Sequence, residues 1–217
     1  KPYADATDFD ENVKRFSEEK NLRLLGTLNI KYVLTPIKLK NELNPIFTAY
    51  VIDDDKLPVY VYENPYFMPR WYFADTIHWT EPNDTQAFSD LQTIDDFKKI
   101  TLLEKQTLGD PALVATPDPR DTLQLQLYTA GKLIIRTETK NYRFLVFSET
   151  RFPDFWRASI NGAPSPLYTA NYLFQAVLVP PGKNIVEFRY PSLPEQGLIA
   201  LNTRLRSLLD KVTPIPL

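Results

Sequence analysis

RFPDFWRASING, residues 151–162, contains the two features that decide the fold, an alternating run of side chains and an Asn-Gly pair. From Phe155 onward, strand alternation places Trp156 on a face with small and aliphatic residues, as expected for an anchor in a β-sandwich core. Asn161-Gly162 is typical of a two-residue hairpin turn, because Asn and Gly tolerate positive φ. The segment therefore predicts a strand that buries Trp156 and ends in a hairpin.

The chain on both sides of this segment, from about residue 106 to 191, shows only strand patterns. Three stretches alternate with a period of two: LQLQLY (123–128), LIIRTETK (133–140) and NIVEFRY (184–190). Such alternation predicts strands with one buried face, and in LQLQLY the Leu residues are expected to face the core. Short strands separated by Gly- and Pro-containing turns indicate an antiparallel β-sandwich.

The first part of the chain mixes helix and strand patterns. Apolar spacing predicts a helix over about residues 8–20, and two β-rich runs around the acidic stretch 53–55 predict a hairpin with a solvated turn. The predicted fold class is therefore α+β. We expect a small mixed α/β domain over 1–105, an antiparallel β-sandwich over 106–191 and a C-terminal amphipathic helix in the tail, 192–217.

Apolar residues of the tail recur every three or four positions, which predicts a helix with one apolar stripe. The stripe consists of Leu198, Leu201, Leu205, Leu208 and Val212. Two interpretations stay open: the helix packs on its own domain, or it docks on a protein partner or a membrane surface. No stretch of the sequence reaches the roughly 18–20 apolar residues that a membrane-spanning helix needs.

Composition excludes several classes of protein. The 25 basic and 27 acidic residues leave a net charge of -2, which argues against a nucleic-acid partner. Cysteine is absent, so disulfide frameworks and thiolate chemistry are excluded, and its absence fits a location outside the cytoplasm. Because the sequence begins at Lys1 without a signal peptide, we expect a processed product or a piece of a longer protein.

The residues that carry chemistry in most enzymes are not grouped in this sequence. His78 is the single histidine, and no nucleophile motif, metal-ligand cluster or glycine-rich phosphate loop accompanies it. Glu63, Glu149 and Asp154 lie near aromatic residues, but no pair is indicated of the kind that glycoside hydrolysis requires. We therefore predict no catalytic residue, no metal and no cofactor.

Candidate contacts to a ligand lie in and after the opening segment, where aromatic and polar side chains are concentrated. They are Phe155, Arg157, Tyr168, Asn171 and Tyr172. Strand alternation places the first two on the face opposite Trp156, so we expect them to point outward.

Four stretches follow one another in an order that resembles a known family. They are NIKYVLT (29–35), YENPYFMPRWYFAD (62–75), LVFSETRFPDFWRASINGAP (145–164) and TANYLFQAVLVPPGKNIVEFRYP (169–191). This order is similar to the C-terminal extracytoplasmic region of bacterial YfhO-like membrane proteins, over about residues 22–199. Those proteins are classed with the GT-C glycosyltransferases, which use lipid-linked sugars.

The resemblance implies an extracytoplasmic, membrane-associated domain without catalytic activity. In GT-C enzymes the catalytic carboxylates lie on loops between membrane helices, and this sequence has no such helices. The first functional hypothesis is a domain that positions a glycan or a lipid-linked sugar. The second is a structural or accessory subunit of a larger membrane-associated or cell-surface assembly, suggested by the apolar stripe and the missing catalytic set.

Overall fold

The computed structural model describes residues 18–39, 43–51, 54–106, 117–152, 155–192 and 194–197. The helices are α1 (Glu19–Thr27) and α2 (Asp84–Leu91), and residues 194–197 are also helical. The strands are β1 (Tyr32–Thr35), β2 (Phe47–Val51), β3 (Asp54–Glu63), β4 (Trp71–Phe73), β5 (Thr76–Thr80), β6 (Ile100–Glu104), β7 (Thr122–Thr129), β8 (Lys132–Thr139), β9 (Arg143–Phe147), β10 (Arg157–Ile160), β11 (Ala163–Ser165), β12 (Tyr168–Ala170), β13 (Phe174–Val179) and β14 (Gly182–Arg189).

Two sheets pack face to face over the main core. The five-stranded sheet has the order β11–β10–β14–β8–β7, and the six-stranded sheet has the order β4–β9–β13–β12–β6–β5. Neighbouring strands are antiparallel except β5 and β6, which are parallel. Leu133 and Phe188 from the first sheet meet Phe147 and Val177 from the second, all of them buried. The predicted α+β fold with a β-sandwich is confirmed.

The six-stranded sheet joins strands from both predicted domains. β4, β5 and β6 come from residues 1–105, whereas β9, β12 and β13 come from residues 106–191. A second buried cluster covers the other face of this sheet and includes Phe144 and Tyr168. Strands from both sides of residue 105 therefore belong to one hydrogen-bonded sheet. The domain boundary near this residue stays a prediction.

The opening segment folds as its pattern predicts. Trp156 is buried in the core, packs edge-on against Phe147 and donates its indole N–H to the carbonyl of Thr150 at 3.1 Å. Asn161 and Gly162 have φ values of 53° and 82° and connect β10 to β11. Two consecutive residues with positive φ form the turn type that suits a two-residue hairpin. Trp156 is therefore a core anchor, and Asn161-Gly162 is a turn.

β7 departs from the prediction that its Leu residues face the core. Leu123 packs on the core, but the register shifts between Leu125 and Leu127, and both of these side chains are exposed. The shift leaves Leu127 opposite Ile134 on the outer face of the sheet. The alternating pattern gave the wrong orientation for Leu127, because a bulge changes which side chains face inward. Leu125 still pairs with the buried Ile135 and is exposed because β7 is an edge strand.

The remaining sheet has three strands, with β3 between β1 and β2. β2 and β3 form the predicted hairpin, and Val51 pairs with Asp54. β3 therefore begins within the acidic stretch 53–55, of which Asp53 lies outside the described residues. The helix predicted over about residues 8–20 lies almost entirely outside them as well.

Two predictions concern a possible contact with a membrane: the absence of a membrane-spanning helix and the apolar stripe of the tail. No helix in the described ranges combines the length and the hydrophobicity needed to cross a membrane. The apolar stripe predicted over 198–212 lies outside those ranges. Both interpretations of the tail therefore stay predictions.

Candidate functional site

A cleft of about 760 Å³ lies at one end of the sandwich. Three separate parts of the chain form it: the β7–β8 turn, the chain between β9 and β10, and the chain that follows β14. Its lining consists of residues 128–132, Phe147, Glu149, Thr150, Phe152, Trp156, residues 189–192 and Glu195. We refer to this feature as the end cleft.

Aromatic rings form one side of the end cleft. Tyr190 is the centre of this group: Trp156 packs edge-on against it at a centroid distance of 5.3 Å, and Phe152 does so at 6.3 Å. Phe155 stacks on the same ring at 5.7 Å. Phe152 is 51% exposed, and Tyr128 is also exposed. The cleft therefore presents aromatic faces to solvent while their neighbours hold them in place.

The β7–β8 turn contacts Tyr190 through Gly131. The Tyr190 N–H donates to the carbonyl of Gly131 at 2.7 Å, and Gly131 has a φ of 82°. A Cβ at this position would lie 3.2 Å from the Cβ of Tyr190. Glycine fits because the turn needs positive φ and because the two chains lie close together.

The charged groups of the end cleft are paired with one another or with neighbours. Arg189 donates to both carboxylate oxygens of Glu195, at 2.8 and 3.1 Å. Lys132 forms an ion pair with Glu187 at 3.2 Å, and Glu149 forms one with Arg70 at 3.1 Å. These pairs balance the charge around the aromatic side of the cleft.

The carboxyl group of Glu195 is held in its ionised form. It accepts hydrogen bonds from the backbone N–H and the hydroxyl of Ser192, both at 2.8 Å, and the charge of Arg189 lies beside it. These contacts lower the pKa of Glu195 to about 2. Glycoside hydrolysis needs a carboxyl group that still carries its proton near neutral pH. Glu195 is therefore suited to accept hydrogen bonds from a ligand and unsuited to act as a general acid.

Two of the five predicted contact residues lie beside the end cleft or on the outer surface. Phe155 stacks on Tyr190, directly behind the lining of the cleft. Arg157 is exposed on the outer face of the five-stranded sheet and donates to the carbonyl of Trp156 at 2.9 Å.

Tyr168 and Asn171 are not on the surface, which corrects the expectation that they are available for contact. Tyr168 is buried against Phe144 at a centroid distance of 4.9 Å. Asn171 is buried, accepts from the N–H of Leu102 at 2.9 Å and donates to the hydroxyl of Tyr72 at 2.9 Å. Tyr168 lies on β12, inside the six-stranded sheet, and Asn171 directly follows that strand.

Tyr172 lies away from the end cleft, with its ring 5.7 Å from that of Phe88 on α2. The structure therefore does not bring the five candidates together in one site. Tyr128, Phe152 and Glu195 also line the cleft but come from three distant segments, and none of them was predicted as a contact residue. Of the three, only Phe152 could have been found from the sequence, because it lies in the aromatic-rich segment 151–162 from which other contact residues were predicted.

The other chemical candidates do not meet in one place: Glu149 lines the end cleft, Glu63 pairs with Lys31 at 3.7 Å, and Asp154 lies outside the described residues. His78 is exposed on β5. Among the side chains that the structure describes, no group of three His, Cys, Asp or Glu is placed to hold a metal ion.

A second surface of interest is one face of the three-stranded sheet, which we call the β1–β3–β2 face. Leu34, Val61 and Phe47 form a cross-strand row on it, with Leu34 65% exposed and Phe47 62% exposed. Tyr32, two positions before Leu34 on β1, is exposed on the same face. Exposed apolar residues on a monomer are normally scattered, and a contiguous group indicates an interaction surface.

Comparison of the chain with protein-family models, with curated proteins and with solved structures finds no match.

Proposed function

We propose that this chain is a non-catalytic, extracytoplasmic, membrane-associated domain that binds a glycan, or the sugar of a lipid-linked sugar, in the end cleft. The observation that carries this proposal is the exposed aromatic side of the cleft next to paired, ionised groups. The resemblance to the extracytoplasmic region of YfhO-like proteins supports the choice of a sugar and the location.

The chemistry of the cleft suits a sugar for two reasons. The C–H faces of a pyranose are apolar and pack on exposed rings such as Phe152 and Tyr128. The hydroxyl groups of a sugar both donate and accept, so they complement Glu149, Glu195 and Arg189 without breaking the charge balance. An apolar surface with a few placed polar groups is the usual composition of a small-molecule site.

Replacing Phe152 by Ala is expected to weaken sugar binding roughly three- to tenfold, because an exposed aromatic contact is lost without disturbing the core. The measurement is a ¹⁵N NMR titration of the full chain with neutral oligosaccharides that contain glucose, galactose or N-acetylglucosamine. Chemical-shift changes are expected for the amides of residues 128–132 and of Arg189, Tyr190 and Ser192.

The matched control is Phe88→Ala, since Phe88 is a Phe of similar exposure, 46%, on α2. This variant is expected to bind as the unmodified chain does. Sugar binding in the cleft is rejected if no oligosaccharide shifts the cleft resonances, or if Phe88→Ala and Phe152→Ala weaken binding equally.

The second candidate function, a subunit of a protein assembly, is favoured by the β1–β3–β2 face. A partner for this face must itself present an apolar surface, and a second copy of the chain meets that condition. The Lys31–Glu63 ion pair, at 3.7 Å, supplies both signs of charge at the border of the face. Two copies therefore meet without a net repulsion between their borders.

Under this second candidate, Leu34→Lys is expected to weaken self-association at least tenfold, because it places a charge in an apolar interface. Sedimentation equilibrium over a range of concentrations measures the association. Ile185→Lys is the control, since Ile185 is an exposed apolar residue on a different sheet. A chain that stays monomeric at every concentration excludes self-association through this face.

A further inference from the structure

Gln175 is a polar side chain enclosed in the sandwich. It lies on β13 and is fully buried, and the register places it opposite Phe147 on one neighbouring strand and Thr169 on the other. Neither its Oε1 nor its Nε2 atom has a hydrogen-bond partner among the described residues. Buried amide groups in native proteins normally have partners, so this side chain indicates that something polar binds here.

The Arg151 side chain reaches the same place. Its Nη1 donates to the hydroxyl of Thr169 and its Nη2 donates to the carbonyl of Leu167 at 3.4 Å. The Nε–H of Arg151 is buried and has no partner within the described part of the chain. Burial lowers the pKa of Arg151, with Glu104 acting in the opposite direction. Thr169 accepts from Arg151, and as the register partner of Gln175 it has its Cβ about 4.5–5.5 Å from that of Gln175, so the guanidinium and the amide are both neighbours of Thr169.

The unsatisfied atoms define the chemistry of the ligand. Nε of Arg151 and Nε2 of Gln175 are donors, whereas Oε1 of Gln175 is an acceptor. An anion would satisfy the donors and repel Oε1, and a cation would be repelled by the guanidinium. Only a neutral group that both accepts and donates fits all three atoms, and buried water typically makes about three such hydrogen bonds.

We propose that Gln175, Thr169 and Arg151 form an internal binding site for a small neutral hydroxylic ligand, which is an ordered water molecule in the free protein. The site lies directly behind the end cleft. Phe147, which lines the cleft, is the register partner of Gln175, and Thr150 and Phe152 flank Arg151 in the chain. The bound water therefore holds Arg151 and, through it, the segment that carries Glu149 and Phe152.

The test compares two substitutions that remove a buried polar group with no protein partner. Gln175→Met keeps the length of the side chain but removes its share of the water contacts and leaves the Arg151 Nε–H unsatisfied. We expect its Tm to fall by about 3–6 °C, the shift expected when a chain of this length loses one buried hydrogen-bonding group. Thr137→Val is the control, because the Thr137 hydroxyl is also buried and without a partner among the described residues but lies on the other sheet. Its Tm is expected to stay the same or to rise.

A second measurement detects the water directly. In a ¹⁵N-edited ROESY spectrum of the full chain, the side-chain amide of Gln175 is expected to show a cross-peak to long-lived water. The proposal is overturned if this cross-peak is absent, or if Gln175→Met raises the Tm as Thr137→Val does. Neither readout involves a sugar, so the result is independent of the function proposed for the cleft.

Discussion

Replacing Arg143 by Met is expected to lower the free energy of unfolding by about 3–5 kcal/mol, because a buried carboxylate loses its cation. The Arg143 side chain is 2% exposed, and its Nη1 donates to Oδ2 of Asp121 at 2.7 Å. The Asp121 side chain is itself only 6% exposed. Nη2 of Arg143 also donates to the carbonyl of Ala74 at 2.9 Å and to Asp75 at 3.2 Å.

The position of this ion pair explains the size of the effect. Arg143 lies in β9 of the six-stranded sheet, and Asp121 directly precedes β7 of the five-stranded sheet. The pair therefore connects the two sheets at the edge of the sandwich. The Arg143 guanidinium also lies over the Phe73 ring, with Cζ 5.2 Å from the ring centroid, so the loss includes this cation–π contact together with the charge pair and its hydrogen bonds. Met keeps only the aliphatic part of the side chain.

Urea denaturation of the unmodified and substituted chains measures the change. Arg120→Met is the matched control, because Arg120 also pairs with a carboxylate, Asp118, but its side chain is 74% exposed. The Asp118 side chain is only 14% exposed, but Lys140 also lies 4.0 Å from its carboxylate, so a loss much smaller than that of Arg143→Met is expected for Arg120→Met. Combining Arg143→Met with Asp121→Leu is expected to recover part of the loss, since the double variant no longer buries a lone charge. Equal stabilities of Arg143→Met and Arg120→Met would contradict this account.

Local patterns were sufficient to predict most of the sandwich. Ile135, Val186 and Phe188 follow a simple period-two alternation, and all three are buried as expected. The bulge between Leu125 and Leu127 was not predictable, because a bulge is a property of the pairing between two strands. The pairing of β5 with β6, which crosses an intervening helix, likewise depends on contacts that no single segment encodes.

The candidate site was less predictable than the fold, for a related reason. Tyr128, Phe152 and Glu195 come together only when three distant segments meet at one end of the sandwich. Asn171 has the polar character of a contact residue, but its partners, Leu102 and Tyr72, are 69 and 99 residues away in the sequence. A side chain of this kind looks available for binding until its long-range partners are known.

Gly26→Ala is expected to destabilise the docking of α1 by about 3 kcal/mol or more, through a clash with backbone atoms. A Cβ on Gly26 would lie 2.1 Å from the carbonyl oxygen of Tyr66 and 2.6 Å from its carbonyl carbon. Met68 donates its N–H to the carbonyl of Gly26 at 3.2 Å, and Asn64 donates to the carbonyl of Leu22 at 2.9 Å. The helix cannot move away without losing these hydrogen bonds.

Helix propensity acts in the opposite direction and is the smaller effect. Ala is favoured over Gly inside a helix by about 1 kcal/mol, so an undocked α1 would become more stable on substitution. Gly197→Ala is the control, because a Cβ on Gly197 meets no atom of the described residues within 4 Å. Urea denaturation together with amide hydrogen exchange of α1 measures both variants. Faster exchange in α1 and a lower unfolding free energy are expected for Gly26→Ala alone. A gain of stability in both variants would show that α1 does not pack on Tyr66, because only the propensity difference would then remain.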